Sequence, residues 1–355
     1  MRTDAYYWKC DNPLPVEEKL KYNDKYRLAD ITPLVRRAAE HHFRETPQAI
    51  LSTGSAGNHY AYEVRFADRT LFFRADDGKT DDDYMLAEEC AMRLARAQGV
   101  PAPRVHVTDV SLSLVPVRYQ FIEWLADPPL RRYDQQGALD RAAVGRQLGR
   151  HTARLHRIRL AGFGFLNTEA LQRGGEPAGL DASNRAYFQK KLPDHLRFLR
   201  DAQFLPPQVL DEIERLLARH DRLLDLPRGS LLHKDLAFWN VLGSHDRITA
   251  IIDWDDAVIG DPVDDIAIVK CFYGPDVIGP FLEGYRETAP LPDDFEARLS
   301  LYLLRNMLWK AVIRIFMRYF DMTGDFFILG PENRTSLRQF TLDRIMEGLA
   351  GLRRA

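Results

Sequence analysis

The chain has 355 residues, 45% hydrophobic and 28% charged, with a formal net charge of −2; it is long enough for two lobes that each bury a core, and it lacks the positive excess that would draw it to nucleic acid or an anionic membrane. Three cysteines (Cys10, Cys90, Cys271) lie far apart with no CxxC pair, which argues against a disulfide framework or a zinc site and for reduced thiols. The polar start MRTDAYYWKCDNPLP does not read as a signal peptide, and no apolar run approaches the ~20 residues of a spanning helix; a cytoplasmic location is expected.

Residues 1–28 are polar and aromatic, with Tyr6, Tyr7 and Trp8 near the front, and read as an extension that packs on the body or on a partner. In ITPLVRRAAEHHF (31–43), Ile31, Leu34, Val35 and Ala38 recur at helical spacing. The stretch 49–76, AILSTGSAGNHYAYEVRFADRTLFFRAD, alternates β-formers around a Gly/Ser interruption and a turn near Ala67–Arg69, predicting three antiparallel strands. DDDYMLAEECAMRLARAQG (81–99) opens on aspartates and closes at Gly99, the polarity of a helix. Two further short strands fall within 100–125, so five strands and one helix make a small α+β lobe. Beyond Asp127 the pattern turns mainly helical, with helices over 137–158, 185–201 and 206–226, a strand pair within 231–262, and a helical region from about Val263 onward.

The strand pair carries the most informative residues. His233-Lys-Asp235-Leu-Ala-Phe-Trp-Asn240 follows apolar Leu231–Leu232, and Asp253 ends the next apolar run, ITAIID. If the two segments pair antiparallel, Asp235, Asn240 and Asp253 face a common point. Carboxylates gathered around apolar residues call for a cation, and one neutral amide with one or two carboxylates suits Mg²⁺ while leaving room for phosphate oxygens. In that arrangement Asp235 accepts the proton of an incoming hydroxyl, and Asn240 and Asp253 hold the metal against a nucleoside triphosphate. His233 is expected to brace the loop backbone rather than exchange protons.

HKDLAFWN followed by IIDWDDAVIGDPVDDIA resembles the aminoglycoside phosphotransferase and choline kinase-like family of small-molecule kinases, and the resemblance extends through LGRHTARLHRIRLAGFGF (148–165). It implies an α+β, bilobal protein-kinase-like fold with a five-stranded antiparallel N-lobe and a larger helical C-lobe. The expected division is an N-terminal extension and helix over 1–46, a nucleotide-binding lobe over 47–126, and a helical lobe with catalytic loop and substrate pocket over 127–355. The resemblance gives Asp235 the role of base, makes Asn240 and Asp253 magnesium ligands, lets Asp255 assist through water, and has Asp265 tie the following helix to the catalytic loop. Three positions depart from the family pattern. Lys234 stands where glycine is usual in antibiotic kinases, and is expected to point outward rather than meet the γ-phosphate. Phe238 and Trp239 are bulkier than usual, and either floor the substrate pocket or pack the loop.

For the nucleotide, ATP or GTP, the Gly/Ser turn STGSAGN offers Ser52, Gly54, Ser55 and Gly57, whose small size lets backbone N–H groups approach phosphate. The kinase-like architecture puts Arg74 at the phosphate-clamping cation position, with Lys79 ranked second, and makes Glu88, ahead of Glu89, its helix partner. Backbone groups at Glu123–Leu125 would receive the adenine edge. The acceptor is expected to be a small hydroxylated molecule, with an aminoglycoside-like antibiotic favoured over a sugar, amino alcohol or other metabolite. Asp194, Asp276, Glu283 and Glu287 are the candidate carboxylates for a polycationic acceptor, although lysines and arginines lie near them. No nucleic-acid or membrane partner is expected, and a homodimer is left open. A catalytically silent nucleotide-binding module and a metal-dependent phosphohydrolase are the competing classes.

Overall fold

A computed structural model describes residues 2–11, 30–54, 59–76, 83–321 and 336–355. The first sheet contains β1 (Ala49–Ser52), β2 (Tyr60–Arg65), β3 (Thr70–Asp76), β4 (Val105–Asp109) and β5 (Arg118–Glu123), in the order β1-β2-β3-β5-β4. Every neighbouring pair is antiparallel. Alternation along β3 divides its side chains between two faces. Leu71, Phe73 and Ala75 join Tyr119 and Phe121 of β5 in an apolar cluster closed by Val35, Ala38 and Ala39 of the helix Thr32–Phe43. Phe72 and Arg74 face the other way, into a cleft shared with Glu88 and Met92 of the helix Tyr84–Ala97.

The larger lobe is mainly helical, but it also holds a second five-stranded antiparallel sheet that the sequence pattern did not predict. Its strands β6 (Arg159–Leu160), β7 (Phe163–Leu166), β8 (Gly179–Asp181), β9 (Gly229–Leu232) and β12 (Val258–Gly260) are two to four residues long, too short for hydrophobic periodicity to declare them. A separate hairpin pairs β10 (Val241–Gly243) with β11 (Ile248–Ile251), Val241 opposite Ile251. The helix expected over 185–201 is two helices, Asn184–Gln189 and Leu192–Asp201, because Lys191 adopts a left-handed φ of 55° and Pro193 starts the second.

The helix Phe295–Phe316 is buried around most of its circumference and forms the centre of this lobe. The helices Arg141–Leu155 and Pro275–Arg286 cross with their backbones in contact. A Cβ on Gly149 would lie 2.0 Å from the Phe281 carbonyl oxygen, so only glycine permits the approach.

Candidate active site

The loop between β9 and β10 is held from beneath by Asp265, fully buried in the first turn of the helix Pro262–Phe272. Its two oxygens accept from the backbone N–H of His233 at 2.8 Å and of Lys234 at 2.7 Å, and His156 Nε2 lies 3.2 Å away. Burial alone would raise the Asp265 carboxyl, but these donors hold it below its ordinary range. The His233 ring bridges two backbones: Nε2 donates to the Ile252 carbonyl at 3.0 Å, and Nδ1 accepts from the Asp235 N–H at 3.3 Å. Burial keeps this histidine below its usual pKa, hence neutral.

Asn240 Nδ2 donates to Asp235 Oδ2 at 2.8 Å and to the Asp235 carbonyl at 3.0 Å, which leaves its own Oδ1 available to a cation. The Asn240 carbonyl accepts from the Ile252 N–H at 2.9 Å, extending the β10–β11 pairing and setting Asn240 beside Asp253. Asp253 itself has a left-handed φ of 65° and turns the chain out of β11. Asp235, Asn240 and Asp253 are therefore brought together, although not by the expected strand pairing: β11 pairs with β10, while β9 with Leu231 and Leu232 lies between β6 and β12.

Lys234 does not point outward. It is 1% exposed, its ammonium pairing with Asp264 and donating to Tyr6 Oη at 3.0 Å and Asn306 Oδ1 at 3.2 Å. Its left-handed φ of 71° directs the side chain under the loop, where the opposite charge makes burial tolerable. Phe238 and Trp239 pack the loop against its support: Phe238 stacks on Tyr273 at 4.1 Å between centroids, and Trp239 meets Phe272 edge-on at 4.7 Å.

The acidic cluster extends beyond the expected ligands. Burial and the neighbouring Asp255 push the Asp253 carboxyl well above its usual range. For Asp255 burial acts upward too, but Lys9, Arg2 and Arg74 outweigh it and hold the group ionised. Burial pushes Asp256 up to about 6 against the pull of Lys9. Asp255 Oδ1 and both Asp256 carboxylate oxygens are buried without a hydrogen-bond donor. Orphaned anionic oxygens beside Asn240 Oδ1 and Asp253 are a donor set that fits a hard divalent cation.

Two basic residues that the sequence reading did not single out reach this cluster from the N-terminal segment. Lys9 Nζ lies 3.4 Å from Asp256, 3.8 Å from Asp253 and 3.9 Å from Asp255. Arg2 donates to the Asp255 carbonyl and is boxed by the rings of Trp8, Tyr84 and Phe165, 4.9 to 5.2 Å from its guanidinium carbon. Their only sequence signal is the aromatic run YYW, which marks a segment that packs without saying where.

A cavity of about 430 Å³ opens between the first sheet and the loop, and both Asn240 and Asp253 line it. At the same end, Arg74 and Glu88 face each other at 2.8 and 2.6 Å. Burial raises the Glu88 carboxyl to about 7, with Arg74 opposing the shift. Glu89 is only partly buried on the same helix and has no such partner role among the described contacts. The far end is apolar, lined by Phe72, Met92, Ile122, Trp124, Leu242 and Ile252, with Glu123 and Leu125 at its edge. The Glu123 N–H donates to the Arg104 carbonyl at 2.8 Å and so cannot serve a ligand, whereas the Leu125 N–H has no partner among the described residues. Of the Gly/Ser turn, Thr53 lines the cavity, Gly54 has a φ of 78°, and Gly54 N–H bonds Ser52 Oγ at 3.3 Å. Ser55, Gly57 and Lys79 lie outside the described residues.

The four candidate acceptor carboxylates are not gathered at Asp235. Each is in an ion pair: Asp194 with Arg197 at 3.1 Å, Asp276 with Arg141 at 2.9 Å, Glu283 with Arg146 at 2.6 Å, and Glu287 with Arg150.

Comparison with known proteins gives the family and the fold. The sequence model of the phosphotransferase enzyme family matches residues 53–298. Viomycin phosphotransferase of Streptomyces vinaceus is 33% identical over 73 residues, 19% of this chain and a quarter (25%) of that protein's own length. Among solved structures, a protein of Thermobifida fusca assigned as a fructosamine-3-kinase superposes with a TM-score of 0.62 at 21% identity, covering 90% of this chain and 99% of its own. The aminoglycoside phosphotransferase APH(4)-Ia in complex with ADP and hygromycin B gives 0.61 at 15% identity, over 90% and 98%. The spectinomycin phosphotransferase APH(9)-Ia gives 0.56 at 16% identity, over 90% and 97%. No helix among the described residues is long and apolar enough to cross a membrane. With the family match spanning well over half of the sequence and the same bilobal fold in kinases of this kind, the chain belongs to the phosphotransferase enzyme family.

Proposed function

We propose that this protein is a small-molecule kinase that moves the γ-phosphoryl group of ATP (or GTP) onto an acceptor hydroxyl, with Asp235 as the base. The observation that carries this reading is the Asn240–Asp235 bond next to Asp253, at the polar end of a cleft whose other end is apolar. Asn240 fixes Asp235 through Oδ2, so Oδ1 is the atom that accepts the hydroxyl proton. The freed oxygen then forms the new P–O bond as the bond to the departing nucleoside diphosphate breaks. Asn240 Oδ1 and Asp253 would hold Mg²⁺, with Asp255 and Asp256 close by; the ion, when bound, neutralises charge on the transferring group.

Arg74, held by Glu88, would clamp phosphate oxygens. The apolar end suits the faces of a purine, with the Leu125 N–H as a donor to its edge. We read the division between nucleotide-binding and helical lobes at residues 126 and 127 because the cleft edge at Leu125 immediately precedes it. Asp265 and His233 are read as structural, since both bind the loop backbone.

On the acceptor, one observation moves the reading away from a polycationic aminoglycoside. The carboxylates that would greet its ammonium groups are already bound by arginines at the surface. A hydroxylated acceptor without an ammonium array, either another antibiotic or a metabolite, fits better. The test is to incubate the protein with Mg²⁺ and ATP or GTP against aminoglycosides, other hydroxylated antibiotics, amino alcohols and free sugars. Acceptor-dependent formation of ADP or GDP is expected. Nucleotide binding without turnover on any acceptor would favour a silent module, and phosphate release from a phosphoester without nucleotide would favour a phosphohydrolase.

A further inference from the structure

The N-terminal segment is fixed to the larger lobe by contacts that need no ligand. Asp11 Oδ2 accepts from the N–H groups of Tyr6 and Tyr7, each at 2.9 Å, and Asp11 Oδ1 accepts from His195 Nε2 at 2.7 Å. His195 Nδ1 faces an Arg305 donor at 3.2 Å, which keeps the ring proton on Nε2 and makes this Cys10–Asp11–His195 group a clamp rather than a metal site. Tyr187 Oη donates to the Tyr6 carbonyl at 2.9 Å, and Tyr7 stacks on Trp309 at 3.7 Å. Lys9 therefore leaves a fixed backbone, and its ammonium lies 3.4 to 3.9 Å from three carboxylates. It is shared among Asp253, Asp255 and Asp256 rather than paired closely with one. These separations exceed the roughly 2.7–2.9 Å of a close charge-assisted hydrogen bond, so the ammonium acts on the cluster as a whole through its charge.

We propose that Lys9 is a resident counter-cation of the metal site, so that the nucleotide-free protein binds divalent cations weakly and metal loading becomes coupled to nucleotide binding. This rests on the reading above that Asp253 and Asn240 hold a divalent cation. A dication held by Asp253 shares the pocket with the Lys9 ammonium, and the two like charges repel at close range above a floor formed by the buried carboxylates of Asp255 and Asp256. Lys9 neutralises the cluster while the site is bare. A nucleoside triphosphate brings enough negative charge for metal and ammonium to coexist, and Lys9 then becomes a cation beside its phosphates. Coupling of this kind is reciprocal, so the same residue ties nucleotide affinity to the presence of metal.

The test uses Mn²⁺, titrated into the 355-residue chain and followed by the electron paramagnetic resonance of the free ion, with and without AMP-PNP. Lys9→Met keeps the aliphatic stem and leaves the Tyr6, Tyr7 and Asp11 anchors intact; Lys9→Arg keeps the charge. Removing the charge is expected to tighten Mn²⁺ binding by about tenfold or more without nucleotide, while Lys9→Arg stays within about threefold of the wild type, and the Lys9→Met gain shrinks when AMP-PNP is present. Equal or weaker Mn²⁺ binding by folded Lys9→Met, or a gain of the same size with and without AMP-PNP, overturns the proposal. Lys9→Gln, read by the same titration, replaces Lys9→Met if the latter does not fold. Asp253→Asn separates the two readings: if it binds Mn²⁺ as well as the wild type, the metal site itself is misassigned. If it loses Mn²⁺ while Lys9→Met gains nothing, only the role of Lys9 fails.

Discussion

Asn240 Nδ2 reaches both the carboxylate and the backbone carbonyl of Asp235, at 2.8 and 3.0 Å, so the amide fixes the acid's side chain and its loop at once. Asp235→Ala should leave Mg²⁺-nucleotide binding intact and lower turnover by about three orders of magnitude or more. Asn240→Ala should lower turnover and metal affinity together, and the double variant should be little worse than Asp235→Ala because the two act as a unit. Steady-state kinetics with a confirmed acceptor, beside calorimetric nucleotide titration, check this. Unchanged turnover in Asp235→Ala removes it from the role of base.

The Arg74–Glu88 pair is buried and close on both arms. Arg74→Ala strands a buried carboxylate and should cost about 3–5 kcal/mol of stability, whereas Arg74→Met combined with Glu88→Leu should recover much of that loss. Nucleotide affinity should fall about tenfold or more in either variant, because the guanidinium is gone from both. Denaturant unfolding and nucleotide titration separate the two effects. An Arg74→Ala protein with wild-type affinity would take Arg74 out of the phosphate site.

Asp265 supplies an acid-sensitive latch. Its folded carboxyl lies below the ordinary value, so its contribution is complete above that value and disappears as pH falls through the lower, folded one. Asp265→Asn keeps one acceptor oxygen but sets an amide N–H against the second backbone donor and gives up the charge, and should destabilise the protein by roughly 2–5 kcal/mol at neutral pH. The wild-type advantage should shrink on acidification. Unfolding curves for both proteins from neutral pH down to pH 3 are the measurement, and a constant difference across that range would refute the latch.

Lys310 is 4% exposed in the helix Phe295–Phe316, its ammonium over the rings of Trp309 at 4.1 Å and Phe272 at 4.3 Å. Burial lowers its pKa to about 8, with Cys271 and Asp235 opposing the shift and Arg314 and Lys234 reinforcing it. Between about 8 and the ordinary lysine value the unfolded chain binds more protons than the folded one, so stability should rise with pH across that window. Lys310→Met should flatten the rise and raise stability at pH 7 by on the order of 3 kcal/mol. Melting temperatures from pH 7 to 10.5 decide it; an unaltered alkaline rise in the variant would assign it to another group.

Much of this molecule is written locally. The five strands of the first sheet were legible because each is a run of four to seven residues rich in β-formers and bounded by turn residues. The HKDLAFWN and IIDW segments were legible because the loop, the hairpin and the convergence of Asp235, Asn240 and Asp253 all arise within 23 consecutive residues, 231–253. The second sheet was not legible, since strands of two to four residues leave no period to read. The break at Lys191 was partly announced by Pro193, yet continuous helical spacing on both sides concealed it.

The sequence by itself showed the strands, the helices and the catalytic-looking loop, because hydrophobic period, turn residues and the spacing of Asp, Asn and Asp act over short stretches, and the bilobal kinase-like fold came from the family resemblance of that loop. Only the tertiary structure decided that Lys234 turns inward to Asp264, that the candidate acceptor carboxylates are held by arginines, and that Arg2 and Lys9 meet the acidic cluster. Arg2 lies 253 residues from the carbonyl it binds. A contact at that separation depends on the path of the whole chain, and a charge has no periodicity by which to announce a distant partner.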